Sequence, residues 1–358
     1  MTYAPSSRRR TEAALPNSAA KPRRNRRYLA VAAITLLLSL AAWAFDAAFY
    51  PYHAPMPGAT SGNHGENGLW LGDDWYFGRR NDADIRRLAR DLSARQTRYA
   101  YFHVRYIGKS GNLRYRFPAQ ARHLNALLRR ENPIIRRIAW VYIGNTRGGG
   151  SLPDLSDADL RRRIVSEAQF LVAECGFDGV QWDYEICPDA DTGLPALLRE
   201  TRAALPPGAI LSVATPLYEP APIPLTGHGW SDGYFTQIAP LCDQICVMAY
   251  DSGMPTPRLF ADTVSEQVTH VCRAAARTAP HCRILIGVPT YRTGGWSHNP
   301  RAENLETALR GVRAGVARLT PAERKAFASI APFADYTTTE EDWATYRRDW
   351  LDKIDTGF

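Results

Sequence analysis

The chain has 358 residues, with 44 Lys and Arg against 36 Asp and Glu, a formal net charge of +8. Its 45% hydrophobic and 22% charged residues are those of a globular protein with at least one large core, which excludes collagenous and wholly disordered chains. The charge does not describe a nucleic-acid-binding surface: the first 27 residues carry eight basic residues against Glu12 alone, a net +7, and everything beyond carries 36 basic and 35 acidic residues, a net +1.

In chain order, residues 1–27 form a basic tail expected on the cytoplasmic side. Residues 28–45 contain no charge and are rich in Leu, Ala, Ile and Val, and Asp46 ends the run. At ~1.5 Å per residue, such a helix just crosses a hydrocarbon core of about 30 Å. The run and its basic flank are longer than those of an ordinary signal peptide, which favours an uncleaved signal-anchor. Ala42-Trp43-Ala44 keeps cleavage and secretion open as the alternative, and Arg26-Arg27 hints at a twin-Arg export signal whose remaining motif is missing. The expectation is a single-pass protein of a bacterial cytoplasmic membrane, with everything after Asp46 outside the cytoplasm.

Residues 46–66, with Pro51, Pro55, Pro57, Gly58, Gly62 and Gly65, read as a linker to a domain spanning 67–358. There, apolar runs near 68–72, 99–106, 137–143, 178–185, 209–215, 244–251, 283–289 and 327–331 alternate with helix-like stretches. Helix 82–94 presents Ile85, Leu88, Ala89 and Leu92. Helix 157–175 has Ser156 as its expected N-cap and Gly176 as its C-cap, and helix 340–354 presents Trp343, Tyr346, Trp350 and Ile354. Eight strand–helix units predict an α/β fold, a single (β/α)8 TIM barrel preceded by one transmembrane helix. No GxGxxG follows the first strand, which argues against a doubly wound dinucleotide-binding sheet.

Six cysteines (Cys175, Cys187, Cys242, Cys246, Cys272 and Cys282) are an even number that an oxidising compartment can pair, with Cys272–Cys282 the best single candidate. They show no metal-ligand spacing, and no metal is expected. Arg147-Gly148-Gly149-Gly150 lacks the Lys-Ser/Thr of a phosphate loop and reads as a loop at the barrel mouth.

Barrel chemistry lies at the C-terminal ends of the strands. Those ends carry Trp75 after the first strand, Tyr218 after the fifth, Tyr250-Asp251 on the sixth, Tyr291 on the seventh and Trp296 close behind. Aromatic rings beside carboxylates at one mouth suit a sugar, whose CH faces stack and whose hydroxyls need acceptors. On the fourth strand, alternation puts Gln181, Asp183 and Glu185 on one face and Val180, Trp182 and Tyr184 on the other. The apolar trio should pack on helices, which turns the polar trio inward. Burying two carboxylates costs several kcal/mol unless they are paired. About 6.5–7 Å apart along the strand, they should not both ionise freely, so one retains its proton near neutral pH. Glu185, nearer the mouth, is the better donor, with Asp183 its deeper partner.

Asp178-x-x-Gln181-x-Asp183-x-Glu185 resembles the DxxDxDxE signature of family 18 glycoside hydrolases, the chitinases and endo-β-N-acetylglucosaminidases. Gln244-x-x-x-Met248-x-Tyr250-Asp251 and Gly287-x-Pro289-x-Tyr291 resemble that family's sixth- and seventh-strand segments. The resemblance implies a (β/α)8 barrel and retaining, substrate-assisted hydrolysis of β-linked N-acetylhexosamine glycans without a cofactor. Glu185 would be the acid/base, Asp183 would hold the acetamido group, Tyr250 would hydrogen-bond its carbonyl, and Gln181, Met248, Asp251 and Tyr291 would line the site. Three departures stand out. Gln181 replaces the middle Asp, Ile143-Gly144-Asn145 replaces the third-strand SxGG, and no Trp lies between Trp296 and Trp343 to floor the −1 subsite, leaving Phe333 or Tyr336 for that place. The competing reading is a chitinase-like lectin that binds glycans without turnover, and the retained Glu185 argues for the enzyme.

Overall fold

The computed structural model describes residues 22–53, 62–144, 153–185, 187–220 and 229–351. It divides into two units, residues 1–45 and 46–358.

Helix α1 (Pro22–His53) contains an apolar stretch, Arg27–Asp46, of mean hydropathy 2.1 with no burial, long and apolar enough to cross a membrane. The first residues of the stretch expected as a linker are helical instead. Residues 46–53 continue the helix, and Arg258 pairs with Asp46 at 2.7 Å and lies over the Tyr50 ring. The rest of that stretch up to residue 61 lies outside the described residues, as do Asn145 and the Arg147–Gly150 loop.

Eight parallel strands pair in sequence order: β1 (Asn67–Leu71), β2 (Thr97–Ile107), β3 (Arg136–Ile143), β4 (Gly179–Tyr184), β5 (Ile210–Thr215), β6 (Gln244–Met248), β7 (Arg283–Pro289) and β8 (Phe327–Phe333). Side-chain and loop bonds draw the first and last together. The Asp335 N–H donates to the Trp70 carbonyl at 2.9 Å, and Ser329 Oγ bonds to Asn67 Oδ1. The connecting helices are α2 (Asp82–Ala94), α3 (Pro118–Glu131), α4 (Ala158–Ala173), α5 (Gly193–Ala204), α6 (Asp232–Ile238), α7 (Pro257–Thr278) and α8 (Leu305–Arg318), with a short α9 (Pro321–Arg324) before β8 and α10 (Glu340–Tyr346) after it. This is the (β/α)8 barrel the alternation predicted.

Two cores result. The outer one lies between strands and helices, where Val180, Trp182 and Tyr184 sit with the apolar faces of α4 and α5, and the Trp182 indole donates to Thr201 Oγ1 at 3.1 Å. The inner one fills the barrel with Trp70, Tyr101, Ile138, Trp140, Leu285 and small residues of β8. It also holds a buried polar layer: Tyr101 Oη donates to Gln244 Oε1 at 3.0 Å, and Gln181 lies between Trp70 and Ser212. Buried polar groups are tolerable only when bonded in this way. Gly179 is required where β4 meets β5, because a Cβ there would lie 2.1 Å from the Ile210 carbonyl oxygen.

Three local expectations need correction. The N-cap of α4 is Asp157, not Ser156, because the Asp157 carboxylate accepts the N–H groups of Asp159 and Leu160, while the Ser156 hydroxyl is turned to Asp154. The helix expected over 340–354 is α10 followed by a wider turn, Arg347–Leu351, which brings Trp350 Nε1 to Asn67 Oδ1 at 2.7 Å; residues beyond 351 are not described. No disulfide joins Cys272 to Cys282. All six cysteines are buried free thiols; Cys272 packs inside α7, and the Cys242 thiol donates to the Ile238 carbonyl at 3.7 Å. They serve as small apolar side chains.

Candidate active site

The C-terminal ends of the strands open into a cleft of about 860 Å³. Asp183 and Glu185 reach it from β4, Met248, Tyr250 and Asp251 from the end of β6, and Tyr291 from just past β7. A second lobe of about 480 Å³ shares Glu185, Met248, Tyr250 and Asp251 and extends to Leu217, Ser252 and Trp296, whose indole is fully exposed. Seven of the ten expected site residues therefore border the two lobes.

The other three lie elsewhere. Gln181 is wholly buried beneath the cleft, its Oε1 taking the Trp70 Nε1–H at 2.8 Å and its Nε2 donating to Ser212 at 3.0 Å. Trp75 bonds Asp335 Oδ2 through its indole at 3.1 Å, with the Arg80 guanidinium 5.5 Å above its ring. Tyr218 stacks on His270 of α7 at 3.9 Å, on the outside of the barrel. Strand alternation gives a side chain's face, but these two follow their strand ends in loops, where alternation no longer applies.

Asp183 is 2% exposed. Its Oδ2 accepts the Trp140 Nε1–H at 2.8 Å and its Oδ1 is buried without a hydrogen-bond partner. Burial, then the neighbouring Glu185 carboxylate, push its pKa well above the usual carboxylate range, and the Trp140 bond opposes them only in part. Asp183 and Glu185 therefore do not both ionise freely, and Asp183 Oδ1 is the oxygen left open for a further bond. Glu185 stands half-buried one residue beyond β4, at the junction of both lobes. The Tyr250 phenol is raised well above its ordinary value by burial and by surrounding acidic groups, so it remains a hydrogen-bond donor. The first Asp of the motif, Asp178, stays at the base of β4, where it accepts the Arg137 backbone N–H at 2.8 Å and ion-pairs with the Arg137 side chain.

Sequence reasoning overlooked much of the cleft wall. Trp70, Trp140 and Phe333 form an aromatic floor, with ring centroids of Phe333 5.7 Å from Trp70, 5.8 Å from Trp140 and 5.2 Å from Tyr250. Phe333 ends β8, so of the two candidates for the place of the absent Trp it is the one built into the floor; Tyr336 stands more exposed at the rim. His103 stacks on Trp140 at 4.0 Å, and burial beside Arg105 lowers its pKa to about 3, leaving the ring neutral. Arg105 has a left-handed backbone (φ 74°), sits where the β2–β3 register shifts, and pairs with Asp73 at 3.2 Å. Period-two alternation along β1, β2 and β3 would have flagged Trp70, His103 and Trp140.

The (β/α)8 barrel thus carries an acid pair at the end of β4 and aromatic walls at the strand mouth. The model of the glycosyl hydrolases family 18 matches residues 83–356, and the chain belongs to that family. The fold is similar to the Bacillus cereus spore cortex-lytic enzyme SleL (11% identity, 80% of this chain and 74% of that one, TM-score 0.55) and to the Ostrinia furnacalis Group IV chitinase (14%, 80% and 99%, 0.54). It is likewise similar to a Cycas revoluta family 18 chitinase solved with allosamidin (16%, 80% and 99%, 0.54). At these identities the likeness concerns the fold alone. No curated protein sequence matches the chain.

Proposed function

We propose that this protein is a glycoside hydrolase that cleaves β-linked N-acetylhexosamine glycans outside the cytoplasm by a retaining, substrate-assisted route. The observation that carries the reading is the buried Asp183 carboxyl, tethered on one oxygen by Trp140 and left open on the other beside Glu185, so that the two carboxyls do not both ionise freely. In this scheme the pair's proton passes from Asp183 to Glu185, Glu185 protonates the glycosidic oxygen and the C–O bond to the leaving group breaks. The substrate's acetamido oxygen closes on the anomeric carbon, with Asp183 accepting the amide N–H and Tyr250 donating to the carbonyl. Glu185 then takes a proton from water, which opens the cyclic intermediate with net retention. Phe333, Trp70 and Trp140 supply the apolar floor, and exposed Trp296 offers a stacking surface for the departing sugar.

The chain reaches its substrate, in this reading, as a membrane-anchored protein. The basic flank holds residues 1–27 in the cytoplasm and the barrel lies on the far side, with secretion after cleavage near Ala42–Ala44 as the alternative. Full-length protein should partition with membranes and resist carbonate extraction, and a chain of mature length in the medium would instead mark secretion.

Glu185→Gln should abolish hydrolysis across a panel of GlcNAc oligomers, chitin and peptidoglycan while leaving glycan binding within a few-fold. Full turnover by that variant would remove Glu185 from the mechanism, and binding without turnover by the unaltered protein would support the lectin reading.

A further inference from the structure

The loop after β7 delivers a charged cluster to the cleft rim that the proposed chemistry does not use. His298 is 4% exposed and Glu303, just before α8, is 0% exposed. His298 Nδ1 lies 3.4 Å from Asp251 Oδ1 and 3.5 Å from Glu303 Oε2, between the two carboxylates. The imidazole stacks on the Tyr291 ring at 4.2 Å, and the Tyr291 hydroxyl donates to the same Asp251 oxygen. Glu303 Oε2 also accepts the N–H of Ser252, the residue after Asp251, at 3.1 Å, and the Gly253 N–H donates to the Ser297 carbonyl at 2.7 Å.

Asp251 has a left-handed backbone (φ 56°), a conformation that disfavours a side chain. The contacts above hold it from both sides, through its own carboxylate and through the next residue's N–H. A carboxylate as buried as Glu303 is costly unless paired, and the His298 ring lies within ion-pair distance of it.

We infer that His298, backed by Glu303, is a positioning residue that fixes Asp251 and Tyr291 at the cleft rim beside Tyr250, and that it does so as an imidazolium. The inference rests on the reading of this cleft as a glycan site. Burial alone would lower the His298 pKa; the Asp251 and Glu303 carboxylates more than offset it and raise it to about 9. Tyr291, the other titratable group packed on the ring, is itself raised beyond the working range by burial and Asp251. Deprotonation of His298 therefore leaves two unneutralised carboxylates, and the rim is released as pH rises through about 9.

The test uses full-length chain in detergent in a Glu185→Gln background, so that titration of the proposed acid does not intrude. Binding of a GlcNAc hexamer is followed by calorimetry from pH 6 to 10. Affinity should fall about tenfold as pH rises through 9. In the Glu185→Gln/His298→Gln chain it should be low throughout and lack that inflection, and Glu303→Gln should move the inflection down. A ¹⁵N-histidine NMR titration of the otherwise unaltered chain reports the ring directly and stands if a variant fails to fold. An inflection that persists without His298, or a His298 ring neutral at pH 7, overturns the inference. So does a stoichiometric divalent cation that is lost on His298→Gln, since a metal would then occupy the proton's place. If no hexamer binds at any pH while the NMR titration centres near 9, the glycan reading fails and the imidazolium stands.

Discussion

Trp140→Phe isolates one hydrogen bond. The indole Nε1–H is the hydrogen-bond donor to Asp183 Oδ2, at 2.8 Å, and the Asp183 Oδ1 is already without a hydrogen-bond partner. Phenylalanine retains a ring against His103 and Phe333 but leaves both Asp183 oxygens unbonded. A hydrogen bond to a charged acceptor contributes about 1.5–3 kcal/mol. If it is realised fully when Asp183 carries charge opposite the substrate amide, its loss lowers kcat/KM by roughly 10- to 150-fold at about 1.4 kcal/mol per decade. The sign of the pH effect follows from the same bond. Trp140 holds the Asp183 pKa down against burial and Glu185, so its removal raises that pKa further. The ionised fraction at neutral pH falls, and the acidic limb of the kcat/KM profile moves to higher pH. The assay is a pH–rate profile of both chains on whichever GlcNAc oligomer the parent cleaves, with thermal melts to exclude global unfolding. A profile that superimposes on the parent's, with kcat/KM within twofold, refutes the role given to this bond.

Three further outcomes follow from the same geometry. The His103 pKa, lowered to about 3 by burial and Arg105 from an ordinary 6.5, means that the unfolded chain binds a proton there before the folded one does. His103 thus favours folding above pH 6.5 and loses that contribution as pH falls toward 3, so His103→Gln should flatten this part of the urea-measured stability curve; an unchanged slope would contradict the neutral assignment. Phe333→Ala should lower kcat/KM at least tenfold on every oligomer by opening the floor, whereas Trp296→Ala should raise KM only for oligomers long enough to reach the second lobe. Equal effects on dimers and hexamers would remove Trp296 from binding. Thiol titration should count six reactive cysteines in denaturant and essentially none in the folded chain, with no change in Tm on adding reductant; a lower count in denaturant would reveal pairing.

The barrel was legible because its signal is repetitive. Eight apolar runs spaced by amphipathic helices leave few topologies, and one charged, alternating strand marks the mouth. Asp183 and Glu185 could be oriented from period two alone, with Trp182 falling correctly against α5. Legibility ended where the backbone stops alternating. Trp75 and Tyr218 follow strand ends in loops and turn to Asp335 and His270, partners that no local pattern announces. Arg105 and Asp251 have left-handed backbones, so neither side chain follows from its neighbours. The cysteines misled for a different reason. An even count and an expected export favour pairing, but Cys272 sits within the buried face of α7, where burial and packing alone account for it. His298 and Glu303 lay inside a loop of Gly, Ser, Asn and Pro, a composition that hid two buried charges.

Gln181 is the departure with the largest electrostatic consequence. Its amide is bonded at both ends, by Trp70 on the oxygen and by Ser212 on the nitrogen. The one carboxylate that acts on Asp183 is therefore Glu185 above it, and the two share a proton as a unit whose titration belongs to the pair. An Asp at 181 would give that proton a second home below. It would also bring a third acid into the dry interior on a shorter side chain, unable to serve both Trp70 and Ser212. Orphaning one of those buried groups costs about 1–3 kcal/mol. An acid whose pKa rises on folding favours the folded state only below its unfolded pKa, and that advantage disappears as pH rises through the folded value. Gln181→Asp should accordingly destabilise the barrel more at pH 8 than at pH 5 in urea titrations, and should shift the pH–rate profile without abolishing turnover. A penalty equal at both pH values would mean that the new acid ionises freely and that Gln181 is not what keeps the proton between Asp183 and Glu185.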